Sequence, residues 1–168
     1  MGIELYAYAS AIGGIAMDRD SFNLEERDNN PFAMPDAGAA LKIKEYADRK
    51  LEECNSMGGI IECVVKNMPA GIGEPVFDKL DANLAKAIMS IGAVKGVEIG
   101  DGFAAADSTG LENNDAFRMK DGHIVKQTNH AGGILGGMSD GSDIILRAAV
   151  KPTPSIAATQ HTVSKAGE

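Results

Sequence analysis

The residues best suited to chemistry lie in the run Asn129–Ile156, NHAGGILGGMSDGSDIILRAAVKPTPSI. Its last part, KPTPSI, places one ammonium group beside two hydroxyls. Lys151 offers a cation to a phosphate or carboxylate. Pro152 and Pro154 stiffen the backbone, and Thr153 and Ser155 add hydroxyls and N–H groups. Such a rigid donor array loses little entropy when it takes up an anion. The same segment also reads simply as a surface loop after a strand. The paired glycines Gly132, Gly133, Gly136 and Gly137 allow tight turns or close approach of the backbone to a ligand. They match neither GxxxxGK[ST] nor GxGxxG.

Other chemistry-bearing residues leave several readings open. His130 is suited to contact an anion, to pack or to cap. Asp101, between Gly100 and Gly102, fits a turn, an ion pair or a site acid. Glu98 reads as an outward strand residue, and Arg147 as solvent-facing or paired with an acid. Asn113, Asn114 and Asp115 read as turn chemistry. Ser139 and Ser142 have no nearby base to activate them. His123, His130 and His161 lack metal-ligand spacing, and two cysteines do not make a metal site. Cys54 and Cys63 are expected to be buried free thiols.

The elements that must hold these residues follow from hydrophobic spacing. IELYAYAS at residues 3–10 predicts a strand, broken by Gly13 and Gly14 and resumed over 15–17. Residues 18–30 read as an acidic connection. Asp36 is placed to cap a helix over about residues 37–55, with Ala40, Ile43, Ala47, Leu51 and Cys54 on its packing face. IIECVV at 60–65 predicts a strand. A second helix is expected over about 76–91, with Phe77, Leu80, Leu84, Ile88 and Ile91 buried. Strands are expected over 94–99 and 144–150. A loop fills 104–117, and Asp121-Gly122 makes a tight turn. Residues 160–168 have room for a short strand. This order defines an α/β or α+β chain and leaves strand direction open.

The 168 residues carry a net charge of −8, with 44% hydrophobic and 24% charged residues. That size supports a genuine core. The acidic balance disfavours a nucleic-acid partner. No run approaches the roughly 18 apolar residues of a membrane helix. With no signal-peptide pattern, the expected compartment is cytoplasmic.

Taken in order, the motifs resemble the central-to-late part of chorismate synthase. They begin with GIELYAYASAIGGIAM and NPFAMPD and continue through MGGIIECVVKNMPAGIGEPVFDKLDANLAKAIMSIGAVKGVEIGDGF. NDAF, TNHAGGILGG, RAAVKPTPSI and QHTVSKAGE follow. The resemblance implies a lyase of the shikimate pathway and aromatic amino acid biosynthesis. That family converts 5-enolpyruvylshikimate 3-phosphate to chorismate and phosphate by a net 1,4-elimination using reduced FMN. NADP belongs to the same expected chemistry, with the source of reduced flavin left open.

The implied fold is α+β: a partial β–α–β sandwich of the chorismate synthase type, with antiparallel sheets flanking helices. Residues 1–168 are expected to form a single incomplete domain of a homotetrameric flavoprotein. Carried over by motif, the flavin contacts are Gly92, Ala93, Gly136, Lys151, Pro152, Thr153, Pro154 and Ser155. Gly92 stands where many relatives carry Asn. Ala33 and Met34 stand where relatives commonly carry Arg-Cys, which removes a cation.

The family's N-terminal histidine-bearing region and its late GRHDPC-like segment have no counterpart here. No residue of this chain is therefore assigned as catalytic, and activity of the isolated chain is not expected. A noncatalytic assembly fragment and a residual FMN-binding module are the alternative readings.

Overall fold

The computed structural model describes residues 2–167. Its centre is a five-stranded antiparallel sheet in the order β2-β1-β3-β9-β4. The strands are β1 (Glu4–Ile12), β2 (Ile15–Ala16), β3 (Gly59–Lys66), β4 (Val94–Ile99) and β9 (Ile144–Val150). Gly13 and Gly14 join β1 to β2 with φ of 60° and 82°. That is the left-handed pair a two-residue hairpin turn needs.

Two short hairpins stand apart from this sheet. One is β5 (Phe117–Lys120) with β6 (His123–Lys126). The other is β7 (Ile134–Leu135) with β8 (Met138–Ser139). Asp121-Gly122 makes the first turn, as its sequence predicts, and Gly136-Gly137 the second. Among the described residues, 160–167 contain no strand.

Helix α1 (Ala37–Glu52) begins at Asp36, whose carboxylate accepts from Ala39 N at 3.0 Å and from Asp18 N at 2.9 Å. Ala39, Ala40 and Ile43 pack with Tyr8 and Val64 on one face of the sheet. Helix α2 (Leu80–Met89) packs Leu80, Leu84 and Ile88 on the other face, against Val65, Ile144 and Leu146. Antiparallel strands thus carry a helix on each side, each buried through one apolar stripe.

Several sequence expectations fail at the element ends. Phe77 is 92% exposed, and Ile91 is also exposed. Reciprocal backbone bonds between Glu74 and Asp78, at 2.9 and 3.0 Å, hold 74–78 as a tight loop. Helix α2 therefore starts only at Leu80. Leu51, in the last turn of α1, is 76% exposed, and the fully buried part of the stripe is confined to Ala39, Ala40 and Ile43. Cys54 is exposed rather than buried, since it follows the helix with φ of 52°; Cys63 is half-buried, and both thiols are free.

The chain exposes 11048 Å². A compact monomer of 17.5 kDa would expose about 7,900 Å². Leu5, Ile61 and Ile91 are part of this excess, and they border an apolar groove of about 450 Å³ between α2 and the sheet. No helix among the described residues is long and apolar enough to cross a membrane.

Candidate functional site

Strand register assembles most of the motif residues. Val150 pairs with Gly59 on one side and with Val94 on the other. The end of β9 and the starts of β3 and β4 therefore meet at one edge. Lys151 N donates to Ala93 O at 2.9 Å, which joins the 151–155 loop to the α2–β4 turn. Lys151, Pro152, Thr153, Pro154 and Ser155 are all exposed. The loop is braced from behind: Ser56 Oγ donates to Thr153 O at 2.7 Å, and Gln160 Nε2 to Pro154 O at 3.1 Å.

This edge fits a flavin in its donor chemistry. Lys151 supplies a cation, while Thr153 and Ser155 supply hydroxyls. A Cβ on Gly92 would meet nothing within 4 Å. Gly92 also lies outside the positive-φ residues, so nothing in the chain's own packing demands glycine there. Ala93, by contrast, is held at φ of 70°, a conformation non-glycine residues seldom adopt. Gly92 and Ala93 follow the C-terminal, electronegative end of α2. They suit a polar ring edge that donates hydrogen bonds, and any anion falls to Lys151. The apolar groove opens beside Gly92 and Val150.

Gly136 is elsewhere. Its hairpin packs on the N-terminal end of α2, where Gly137 O accepts from Leu80 N at 2.8 Å. The ten residues of α2 put about 15 Å between the two groups along the helix. Its φ of 59° accounts for glycine at this turn. Gly136 and the Lys151 edge thus lie toward opposite ends of α2.

Two charge clusters lie beyond the motif residues. Asp115 has a side chain 3% exposed, against 4% for Lys126. Asp115 accepts from Thr128 Oγ1 at 2.7 Å, His130 N at 2.8 Å, Ala131 N at 3.0 Å and Lys126 Nζ at 3.2 Å. Burial works against its ionised form. The bonds from Ala131, Thr128, His130 and Lys126 prevail, and its carboxyl is held well below the usual range. Lys126 also reaches Asp140 at 2.8 Å and Asn129 Oδ1 at 3.0 Å. Turn chemistry was visible at Asp115 in the sequence. Its command of the NHAGG segment arises only from contacts at separations of 11 to 16 residues.

The second cluster is a row across four strands, Tyr8, Glu62, Arg147 and Glu98, each opposite the next in register. Glu62, 2% exposed, accepts from Tyr8 Oη and from both terminal nitrogens of Arg19. Burial raises its pKa, but the Arg19 and Tyr8 bonds win and lower it. Arg147 pairs with Glu98 at 3.1 Å and donates to Gly100 O at 3.0 Å. Of the alternatives for Arg147, pairing with an acid is the one realised. His130 Nδ1 lies 2.6 Å from Asp101 Oδ2, so Asp101 is an ion-pair or hydrogen-bond partner as well as a turn residue.

An antiparallel sheet with one helix on each face, carrying an exposed lysine-proline loop at one edge, defines the class: an α+β protein. The family follows from comparison. The chorismate synthase family model matches residues 1–168, and the chain belongs to the chorismate synthase family. It is similar to chorismate synthase of Lachnospira eligens, 63% identical over 168 residues, covering 100% of this chain and 46% of that protein. Chorismate synthase of Agathobacter rectalis is 60% identical with the same coverage. A solved structure, "Crystal Structure of Chorismate Synthase", superposes with a TM-score of 0.81 at 30% identity, covering 89% of this chain and 50% of that one. The fold is thus that of chorismate synthase, as expected. The chain spans about half the length of the curated relatives it matches.

Proposed function

We propose that this chain forms the flavin-associated part of a lyase that converts 5-enolpyruvylshikimate 3-phosphate to chorismate and phosphate. The observation that carries this reading is the Ala93–Lys151 backbone bond, which unites two separate flavin motifs at one exposed edge. Reduced FMN, when bound, supplies electron density to the departing phosphate system. The chain's own residues hold and orient. Lys151 provides the cation, Thr153 and Ser155 provide hydroxyl donors, Pro152 and Pro154 limit loop motion, and Gly92 and Ala93 present backbone to the ring edge.

Gly136 contacts the flavin from the far end of α2, and the whole protein is a homo-oligomer, a tetramer in this reading. No residue of this chain is assigned to proton transfer. Turnover therefore requires the histidine-bearing region of the whole enzyme.

A second reading draws on the surface excess. Residues 1–168 form one domain whose apolar groove is covered by the remaining half of the protein, and alone the chain is a noncatalytic assembly fragment. Excess exposure of about 3,000 Å² exceeds the roughly 800 Å² per partner of a standard interface.

Both readings make the same prediction for phosphate release from 5-enolpyruvylshikimate 3-phosphate with reduced FMN, and the FMN dependence of Lys151→Ala separates them. The 168-residue chain should show none, and the whole polypeptide should turn over. In the whole polypeptide, Lys151→Ala should lower turnover at limiting FMN and recover partly as FMN is raised. A Lys151→Ala protein with wild-type FMN dependence would refute the flavin assignment.

A further inference from the structure

We propose that Ser56 is a positioning residue for the Lys151–Ser155 loop, and that the α1–β3 turn is the buttress setting that loop's donors. The inference rests on the flavin reading and deepens it. Three contacts tie the turn to the loop. Ser56 Oγ donates to Thr153 O at 2.7 Å. Cys54 O accepts from Ala158 N at 3.3 Å. At Gly58 the chains pass so closely that a Cβ would lie 2.7 Å from Val150 O and 3.0 Å from Pro152 Cδ.

The turn itself is fixed. Cys54 N and Asn55 N donate back to Leu51 O and Lys50 O, closing the helix, with Cys54 in the left-handed region. Asn55 Oδ1 then accepts from Ser56 N at 2.8 Å. Ser56 is thereby held on a rigid base, 97 residues from its partner in sequence.

The mechanism is orientation. Thr153 lies between two prolines, whose φ angles are set by their rings. Anchoring its carbonyl fixes the Thr153–Pro154 peptide plane, which has no N–H of its own, and with it the stretch of backbone that carries the Thr153 and Ser155 side chains. Lys151 N is already committed to Ala93 O. The Ser56 bond therefore links the helix end, the β4 turn and the donor loop into one frame. A loop ordered before binding loses less entropy on taking up its ligand. Ser56 is half-buried and lies outside the core, so removing its hydroxyl leaves the core intact.

The test uses the whole polypeptide as wild type, Ser56→Ala, Ser56→Thr and Lys151→Ala. Two readouts are taken: amide exchange over 153–156 without flavin, and equilibrium titration with FMN. Ser56→Ala should speed exchange there and weaken FMN binding about fivefold, the size of one ordinary hydrogen bond. Ser56→Thr, which keeps the hydroxyl, should restore both, and the melting temperature should stay within a degree or two. Unchanged exchange with weakened binding would mean that Ser56 touches flavin directly, which overturns positioning. Faster exchange with unchanged affinity overturns it too, provided Lys151→Ala weakens binding. If Lys151→Ala binds FMN like wild type, the flavin reading itself fails.

Discussion

Replacing Asp115 by Ala should destabilise the chain by about 3–5 kcal/mol, the scale for stripping one partner from a buried, hydrogen-bonded ion pair. The structure gives the reason. The substitution leaves Lys126 with Asp140 alone as its counter-charge, and orphans the donors of Thr128, His130 and Ala131. An orphaned donor costs about 1–3 kcal/mol where water cannot reach it, whereas the hydroxyl of exposed Thr128 regains a partner from water. These penalties do not add in full, because half-buried His130 lets water reach part of the loop.

Asn at 115 preserves shape and one acceptor, so it should cost less, about 2–3 kcal/mol. The sign with pH follows from the depressed carboxyl of Asp115. Its stabilising contribution is fully present above the unfolded value near 3.8. It is lost as pH falls through the lower folded value. Wild type should therefore lose more stability on acidification below pH 4 than Asp115→Asn does. Urea unfolding at pH 7 and pH 3, with amide exchange over 128–133, measures both effects. A loss below about 1 kcal/mol for Asp115→Ala, or unchanged exchange in that segment, would refute the reasoning.

Ile43→Ala, at a fully buried position, should cost about 2–5 kcal/mol. Leu51→Ala, from the same expected stripe but exposed, should stay within about 0.5 kcal/mol by denaturant titration. Gly58→Ala should displace the Val150–Pro152 backbone, lowering the melting temperature and weakening FMN binding together. In a double-mutant cycle, Arg19→Ala and Glu62→Ala should be strongly non-additive in unfolding free energy, because both act through one buried carboxylate.

Periodicity located the interiors of the elements well. Strand β9 fell on residues 144–150, and Asp36 capped α1 as its position required. Ends were less legible, because long-range contacts decide them. Nothing local to Phe77 shows that Glu74 and Asp78 will pair and delay the helix. The two-residue turn at 121–122 was readable because its residue types satisfy a backbone demand, whereas Gly13-Gly14 was readable only as a break in the strand.

The site was legible in part. Lys151 and the residues around it stand out by type. Their meeting with Ala93 and Ser56 depends on an antiparallel register that periodicity leaves open. The row from Tyr8 to Glu98 was hidden for the same reason. Each member looks ordinary in its own strand, and only four-strand pairing makes them neighbours. Gly136 shows the opposite limit: grouped by motif with Lys151, it is separated from it by the length of α2.

The most direct test of the flavin edge is the amide-exchange footprint of FMN on the whole polypeptide. Saturating FMN should protect the amides of Ala93, Thr153 and Ser155, and Lys151→Ala should abolish that protection at the same FMN concentration. Saturable FMN binding that leaves both segments exchanging at their flavin-free rates would contradict the account.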